Sequence, residues 1–422
     1  MKKFLSFLLT LALLAALFAG CASNGESAPS TEAGTQAPTE APAPEENGGI
    51  ESYGYLIRDN TLHDAEYLLV IKNHSDVPCR INATATARDS NGNALASDSC
   101  VINALSPGDD TVGLFCFDDC QGLDTVTYAL EQTPESAYTS VSSDIALSYT
   151  ETPNGYIVTA KNNGDVRAQE LTAWLLFFDA SGEFKYYTSA RLEDHFGELK
   201  PGKEQTSFAY APRAYDHMEL YLSGYSDGST GDSSQTVPEN CFDVEEYAYK
   251  QTNNRLLYFV AVTNNSDRTV CVHGTGIAKN ADGDAICFAG IRGMLMALGP
   301  GEQSIDFFLF DCDSAAVDSV EYHLEYIADP PTKTSTLAGL SLQQINDDKS
   351  VTVTVTNNGS VSAETILATA LFFNKQGAVV FKNDAWLTDY SELFPGTSRD
   401  YQINSDVPFD SVKVFLLAYN DK

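Results

Sequence analysis

The residue types that could do chemistry are few in this chain, and their spacing points mostly to turns. Gly224-Tyr225-Ser226-Asp227-Gly228 has the G-x-S-x-G spacing of a nucleophile elbow. That chemistry needs a strand, a sharp turn and a helix. Here a strand-like run passes into a Ser/Gly/Asp-rich stretch with no helical pattern, so the segment reads as a linker. Asp89, Asn91 and Asn93, and again Asn280, Asp282 and Asp284, place oxygen ligands at alternate positions, as calcium loops do. Gly92 and Gly283 fall at the fourth position rather than the sixth, and no Glu closes a twelve-residue loop. Hairpin turns account for the same residues, which leaves them weak metal candidates. Asp194-His195 and Asp216-His217 pair a carboxylate with an imidazole, but no serine or cysteine nucleophile stands beside them, and they read as surface loops. No cofactor-binding pattern is present, and an enzyme is the disfavoured reading.

Nine cysteines carry the remaining reactive chemistry. Cys21 closes the sequence Leu17-Phe18-Ala19-Gly20-Cys21, after Lys2, Lys3 and an apolar run from Phe4 to Phe18. The run is too short for a spanning helix and has the flanks of a secretory leader with a lipobox. It looks like a bacterial lipoprotein precursor: residues 1–20 are removed, and Cys21 becomes a lipidated N-terminus. At about 0.8 kcal/mol per buried methylene, two or more acyl chains anchor stably. The expected location is the extracytoplasmic face of a cell membrane. Cys79 and Cys120 are 41 residues apart, and so are Cys271 and Cys312. Both are expected as disulfides, since export permits them. Cys100–Cys116 and Cys241–Cys287 are the pairs left over; reduced, buried thiols are the alternative.

Residues 21–48 are rich in Ser, Thr, Ala, Pro, Glu and Gly, and without Lys or Arg. Such a segment cannot bury enough surface to order itself, so a disordered tether is expected, about 30 Å in reach. The formal charge is −33, and loss of Lys2 and Lys3 with the leader makes it −35. That charge repels nucleic acid and anionic surfaces. No apolar stretch follows the strand-like Val412 to Tyr419, so no C-terminal anchor is expected.

The elements that must position these residues repeat four times. A strand-like run ends in Lys72-Asn73, Lys161-Asn162, Thr263-Asn264 or Thr356-Asn357. A Leu-x-Pro-Gly turn follows, beginning at Leu105, Leu199, Leu298 and Leu393, spaced by 94, 99 and 95 residues. Pro at the second position and Gly at the third specify a type II turn. Asn73-His74-Ser75 and Asn358-Gly359-Ser360 also read as glycosylation sequons, although the repeated turn suffices to explain them. Between the turns lie hairpin signals such as Asn91-Gly92, Asp179-Ala180-Ser181-Gly182 and Asp282-Gly283. Short strands with turn signals every 8–12 residues argue for β-sandwiches of immunoglobulin-like size. The first and third copies share cysteines and a Phe-Asp pair; the second and fourth share Phe-Phe and lack cysteine. An A–B pair duplicated to A–B–A–B explains this.

The second copy resembles the FxLYD family of bacterial and archaeal surface lipoproteins, through Leu175-Leu176-Phe177-Phe178-Asp179, Gly182 and Leu199-Lys200-Pro201-Gly202. Ala370-Leu371-Phe372-Phe373-Asn374 is similar, whereas Ala85 to Asp89 and Gly276 to Asn280 depart from the motif. The resemblance implies an immunoglobulin-like sandwich and no catalytic residue. The expectation is therefore an all-β chain of four tandem sandwiches, at 49–133, 140–225, 241–328 and 336–422, with a linker at 226–240. The expected role is a membrane-tethered binding or interaction module for an extracellular protein, peptide or glycan. A structural spacer of the cell envelope is the alternative.

Overall fold

A computed structural model describes residues 45–422 apart from 60–63, 135–136, 195, 212–213, 232–235, 252, 331 and 389–390. The leader, Cys21, His195 and most of the tether lie outside the described residues. The described chain is all-β and built from small antiparallel sheets, with no α-helix among these residues. No helix there is long and apolar enough to cross a membrane.

The first group of strands is β1 (Glu45–Asn47), β2 (Ile50–Asp59), β3 (Asp64–Asn73), β4 (Cys79–Asp89), β5 (Ala94–Leu105), β6 (Asp110–Phe117) and β7 (Leu123–Pro134). They form sheets of order β1-β2-β3-β6 and β5-β4-β7. Alternating side chains from both, among them Leu69, Ile71, Ile81, Ala85 and Phe115, fill one core. The second group is β8 (Thr139–Ser140), β9 (Ile145–Thr152), β10 (Gly155–Asn162), β11 (Ala168–Phe178), β12 (Phe184–Arg191), β13 (Glu198–Leu199), β14 (Glu204–Tyr210) and β15 (His217–Ser226). Its sheets run β9-β10-β14 and β12-β11-β15-β8, with β13 also on β11.

The third group is β16 (Phe242–Lys250), β17 (Leu256–Asn264), β18 (Val270–Lys279), β19 (Ala285–Gly290), β20 (Gln303–Phe310) and β21 (Ser319–Ala328), in sheets β16-β17-β20 and β19-β18-β21. The fourth is β22 (Lys333–Ser335), β23 (Leu340–Asn346), β24 (Ser350–Asn357), β25 (Thr365–Phe373), β26 (Val379–Trp386), β27 (Ser398–Asn404) and β28 (Ser411–Asp421). Its sheets run β23-β24-β27 and β22-β28-β25-β26.

The repeated Asn explains why the same turn recurs. Asn73, Asn162, Asn264 and Asn357 are each at most 1% exposed. In every copy the amide NH₂ donates to two carbonyls, one in its own turn and one on the Leu of the Leu-x-Pro-Gly turn; for Asn162 these are Val166 and Leu199, both at 2.8 Å. Its side-chain oxygen accepts the N–H two residues on. Its backbone carbonyl accepts from the Gly of the distant turn. That Gly has φ between 71° and 84° in all four copies, as a type II turn requires. The buried amide is thus fully satisfied, and its two ends clip the turns together. Asn73, so buried, is turn structure rather than an open glycan acceptor.

Two segments make contacts that their composition does not suggest. Glu45–Asn47 pairs with the start of β2 through Gly48 and Gly49, whose φ values of 61° and 84° suit a two-residue hairpin. The stretch 226–240 is tied down at both ends: Ser226 is buried, Asp227 pairs with Arg167 at 2.5 Å, and Val237 enters the third core.

The expected disulfides are not formed, and all eight described cysteines are thiols. The register gives the reason. Cys79 lies opposite Leu105 and Pro134, whereas Cys120 turns into Leu123, which lies opposite Asp89 at the far end of β4. Ten residues of β4 separate those ends, about 33 Å at 3.3 Å per residue. Cys271 and Cys312 are likewise at opposite ends: Cys271 faces Ile327, while Cys312 follows β20, whose Phe310 faces Leu256. Equal spacing placed each pair at equivalent positions, but not at adjacent ones.

Candidate functional site

Consecutive groups meet through apolar faces that a solitary sandwich would leave in water. Leu68, Val70 and Val112 of the first pack on Leu176, Phe178, Phe184 and Tyr221 of the second. Tyr55 stacks on Phe184 at 4.5 Å. The third and fourth meet the same way, Leu257, Phe259 and Ile305 against Leu371, Phe373 and Phe415. These central strands are buried on both sides, so Leu68–Ile71 and Leu175–Phe178 are continuous apolar runs.

The two junctions differ at one place. At the first, a cleft of about 360 Å³ opens between β5 and β6 on one side and β11, β15 and the residues after β8 on the other. At the corresponding place in the second, only about 20 Å³ remains. Ladder register makes the correspondence explicit. Trp174 faces Tyr221 and Thr172 faces Ser223 in the first junction; Thr369 faces Phe415 and Leu367 faces Leu417 in the second. Leu367, Leu417 and Met294 line the residual space there. The first junction has hydroxyls where the second has leucines.

The cleft is positioned by a break in the β11–β15 ladder. Gln169 pairs with Tyr225 and Thr172 with Ser223, so one extra residue sits in β11. Glu170 in this bulge has φ +51°, a conformation that costs a non-glycine residue of the order of 1 kcal/mol or more. The fourth group runs from Thr365–Tyr419 to Leu367–Leu417 without a break. Trp174 is fixed by its indole N–H, which donates to Ser223 Oγ at 3.0 Å, and by Tyr187, whose ring lies 6.2 Å away. Tyr187 in turn donates to Glu66 across the junction at 2.9 Å. Ser140 and Ser142 both donate to Asp109, at 2.7 and 2.5 Å, and close the floor.

Two polar residues of β6 border the cleft. Thr111 is 2% exposed and its hydroxyl has no hydrogen-bond partner, as is also true of Ser304 at the equivalent position of the shut junction. Burial pushes the Asp110 carboxyl above its usual range, with Lys72 across the ladder pulling it back. On the opposite wall Arg191 is exposed and reaches Glu193 at 3.3 Å. Cys100 also lines the cleft, but burial pushes its thiol up to about 12, so it is not a thiolate nucleophile at neutral pH. An indole plate and charges on opposite walls can grip a ligand with one flat apolar face and several hydrogen-bonding groups.

Of the residues singled out in the sequence, Cys100, Leu105, Gly224 and Tyr225 line the cleft; the other candidates lie elsewhere. Ser226 is buried and its Oγ accepts the Gly228 N–H at 3.1 Å, as a turn residue does. Asp89 Oδ1 accepts the N–H of Asn91 and of Asn93, and Oδ2 accepts the Asn93 side chain. Those bonds, chiefly from Asn93, hold its carboxyl below the usual range. Asn280 accepts from Asp282 and Asp284 in the same manner. Asp179 and Asn374 form identical turns in the other two groups, so the oxygens serve the hairpin. His217 stacks on Phe178 at 5.1 Å, with Asp216 beside it at 3.4 Å. Among the described residues no cluster of His, Cys, Asp and Glu has the geometry of a metal centre. Compared with known proteins, the chain matches no family model and no curated protein.

Proposed function

We propose that this chain is a membrane-anchored extracytoplasmic lipoprotein that acts as a non-catalytic binding module, with its ligand site in the cleft between the first two groups. In this reading Cys21 carries the acyl chains and residues 22–44 tether the folded part. The folded part is four immunoglobulin-like sandwiches of the FxLYD kind, arranged A–B–A–B. The four identical Asn clips and the equivalent paired sheets support the duplication. The observation that carries the binding reading is the contrast between junctions. A duplicated contact that packs shut in one half stays open in the other, where it holds a strained Glu170. Such strain persists where it serves a purpose other than stability.

The ligand classes that fit are a sugar ring or a short peptide, each able to stack on Trp174 and to bond to the Asp110 carboxylate. Thermal unfolding against cell-wall glycans and peptides tests this, because a ligand of the folded state raises the melting temperature. The spacer reading has its own support, since both junctions are cemented by buried apolar faces. It expects no ligand to shift the transition.

A further inference from the structure

The strand β19 belongs to one sheet of the third group and β20 to the other, yet the two run side by side. Ile291 bridges to Phe308 in antiparallel sense, and the Arg292 N–H donates to the Phe307 carbonyl at 3.0 Å. Continued along that register, each step back from Ile291 meets a step forward from Phe308, which sets Cys287 against Cys312. Facing residues in antiparallel chains have Cα atoms about 4.5–5.5 Å apart, within the range a disulfide spans. The two thiols are in contact: Cys312 donates to the Cys287 sulfur. Cys287 is buried and Cys312 half-buried.

We propose that Cys287 and Cys312 are a disulfide-forming pair that covalently joins the two sheets of the third group on meeting an oxidising disulfide. The physiological setting rests on the export proposed above; the bond-forming geometry does not. The proton shared between the sulfurs makes Cys287 the first to ionise, since the Cys312 thiol stabilises its anion and is itself held protonated. The Cys287 thiolate attacks one sulfur of an external low-molecular-weight disulfide, forming a mixed disulfide and releasing one thiolate. Cys312 then loses its proton and attacks the Cys287 sulfur, closing the internal bond and releasing the second thiolate. Two protein thiols are oxidised, and one external disulfide is reduced to two thiols. The link also fixes β19 where its Phe288 stacks on Phe208 of the second group, 6.0 Å away and nearly parallel. Oxidation thereby stiffens the strand that joins the two halves of the chain.

The test takes the full chain, purified with reductant, freed of it and incubated in its native state with oxidised glutathione. Denaturing alkylation, digestion without reduction and mass spectrometry then map the sulfurs. The expected result is one cross-linked peptide joining Cys287 to Cys312, with the protein lighter by two hydrogen atoms. Cys312→Ser should abolish the link and leave Cys287 without an intramolecular partner, while Cys271→Ser should leave it intact. Alkylation of both Cys287 and Cys312 after oxidation, a lasting glutathione adduct at Cys287, or a Cys271–Cys312 link would each overturn the proposal. The wild-type map decides this even if a variant fails to fold.

Discussion

Replacing Asn162 by Ala isolates the clip on which each copy of the fold depends. The substitution removes both N–H donations, to the Val166 and Leu199 carbonyls, and the acceptor for the Gly164 N–H. The bond from the Gly202 N–H to the Asn162 backbone carbonyl survives. The site is 1% exposed, so water does not replace what is lost. A buried group left unsatisfied costs about 1–3 kcal/mol, which for three groups, some of them able to relax, gives about 3–6 kcal/mol. Against a domain stability of about 5–15 kcal/mol, that is enough to move or abolish the transition of the second group. Trp174 lies in this group and Trp386 in the fourth, so urea unfolding followed by fluorescence, with Trp386→Phe as background, reads the affected group alone. Asn162→Asp sharpens the test: it keeps an acceptor but sets a carboxylate against two carbonyl oxygens, and should be at least as damaging as Ala. A loss below about 1 kcal/mol for Ala, or wild-type stability for Asp, would refute the reasoning.

Other consequences follow from single sites. Glu170→Gly relieves the positive φ of the bulge, so the second group should gain about 1 kcal/mol in urea unfolding while ligand affinity at the cleft falls. Asp306 accepts the Met294 and Leu295 N–H groups, and burial raises its carboxyl from 3.8 to about 6. The folded state therefore holds this proton more tightly than the unfolded state, and stability falls as pH rises from about 4 to about 6. The contribution is about 3 kcal/mol, from roughly two pKa units at 1.36 kcal/mol each; it should be absent from Asp306→Asn, so the difference between wild type and variant should carry it. Thr369→Trp, which places the bulk of Trp174 in the shut junction, should overpack it and cost about 1–3 kcal/mol in the fourth group.

The all-β class and the strand boundaries were legible because Gly, Pro and Asn in fixed order have few conformations open to them. The four Leu-x-Pro-Gly turns and the Asp-Gly and Asn-Gly hairpins fall where their chemistry puts them. What escaped was the packing between groups. Leu175, Leu176, Phe177 and Phe178 are all buried, because the face of β11 turned away from its own core meets a neighbour. An unbroken apolar run was the available signal. The cysteines show a related limit: equal spacing reveals equivalent positions, but adjacency depends on which end of a strand each residue occupies. The cleft left no local mark, since Asp110 on β6 and Glu170 and Trp174 on β11 are far apart in sequence and only the junction brings the two strands together. Glu45–Asn47 was assigned to the tether by composition, although Gly48-Gly49 supplied the hairpin turn.

The most direct measurement compares the wild-type chain with the double variant Thr172→Leu, Ser223→Leu, which copies the leucines of the shut junction into the open one. Both proteins are melted with the same panel of glycans and peptides. A ligand at 100 times its dissociation constant stabilises the folded state by about 2.7 kcal/mol. The account predicts that at least one panel member raises the melting temperature of the wild type, and that the plugged variant folds but loses the shift. No shift in a well-folded wild type, or an equal shift in both proteins, would contradict the cleft as the binding site.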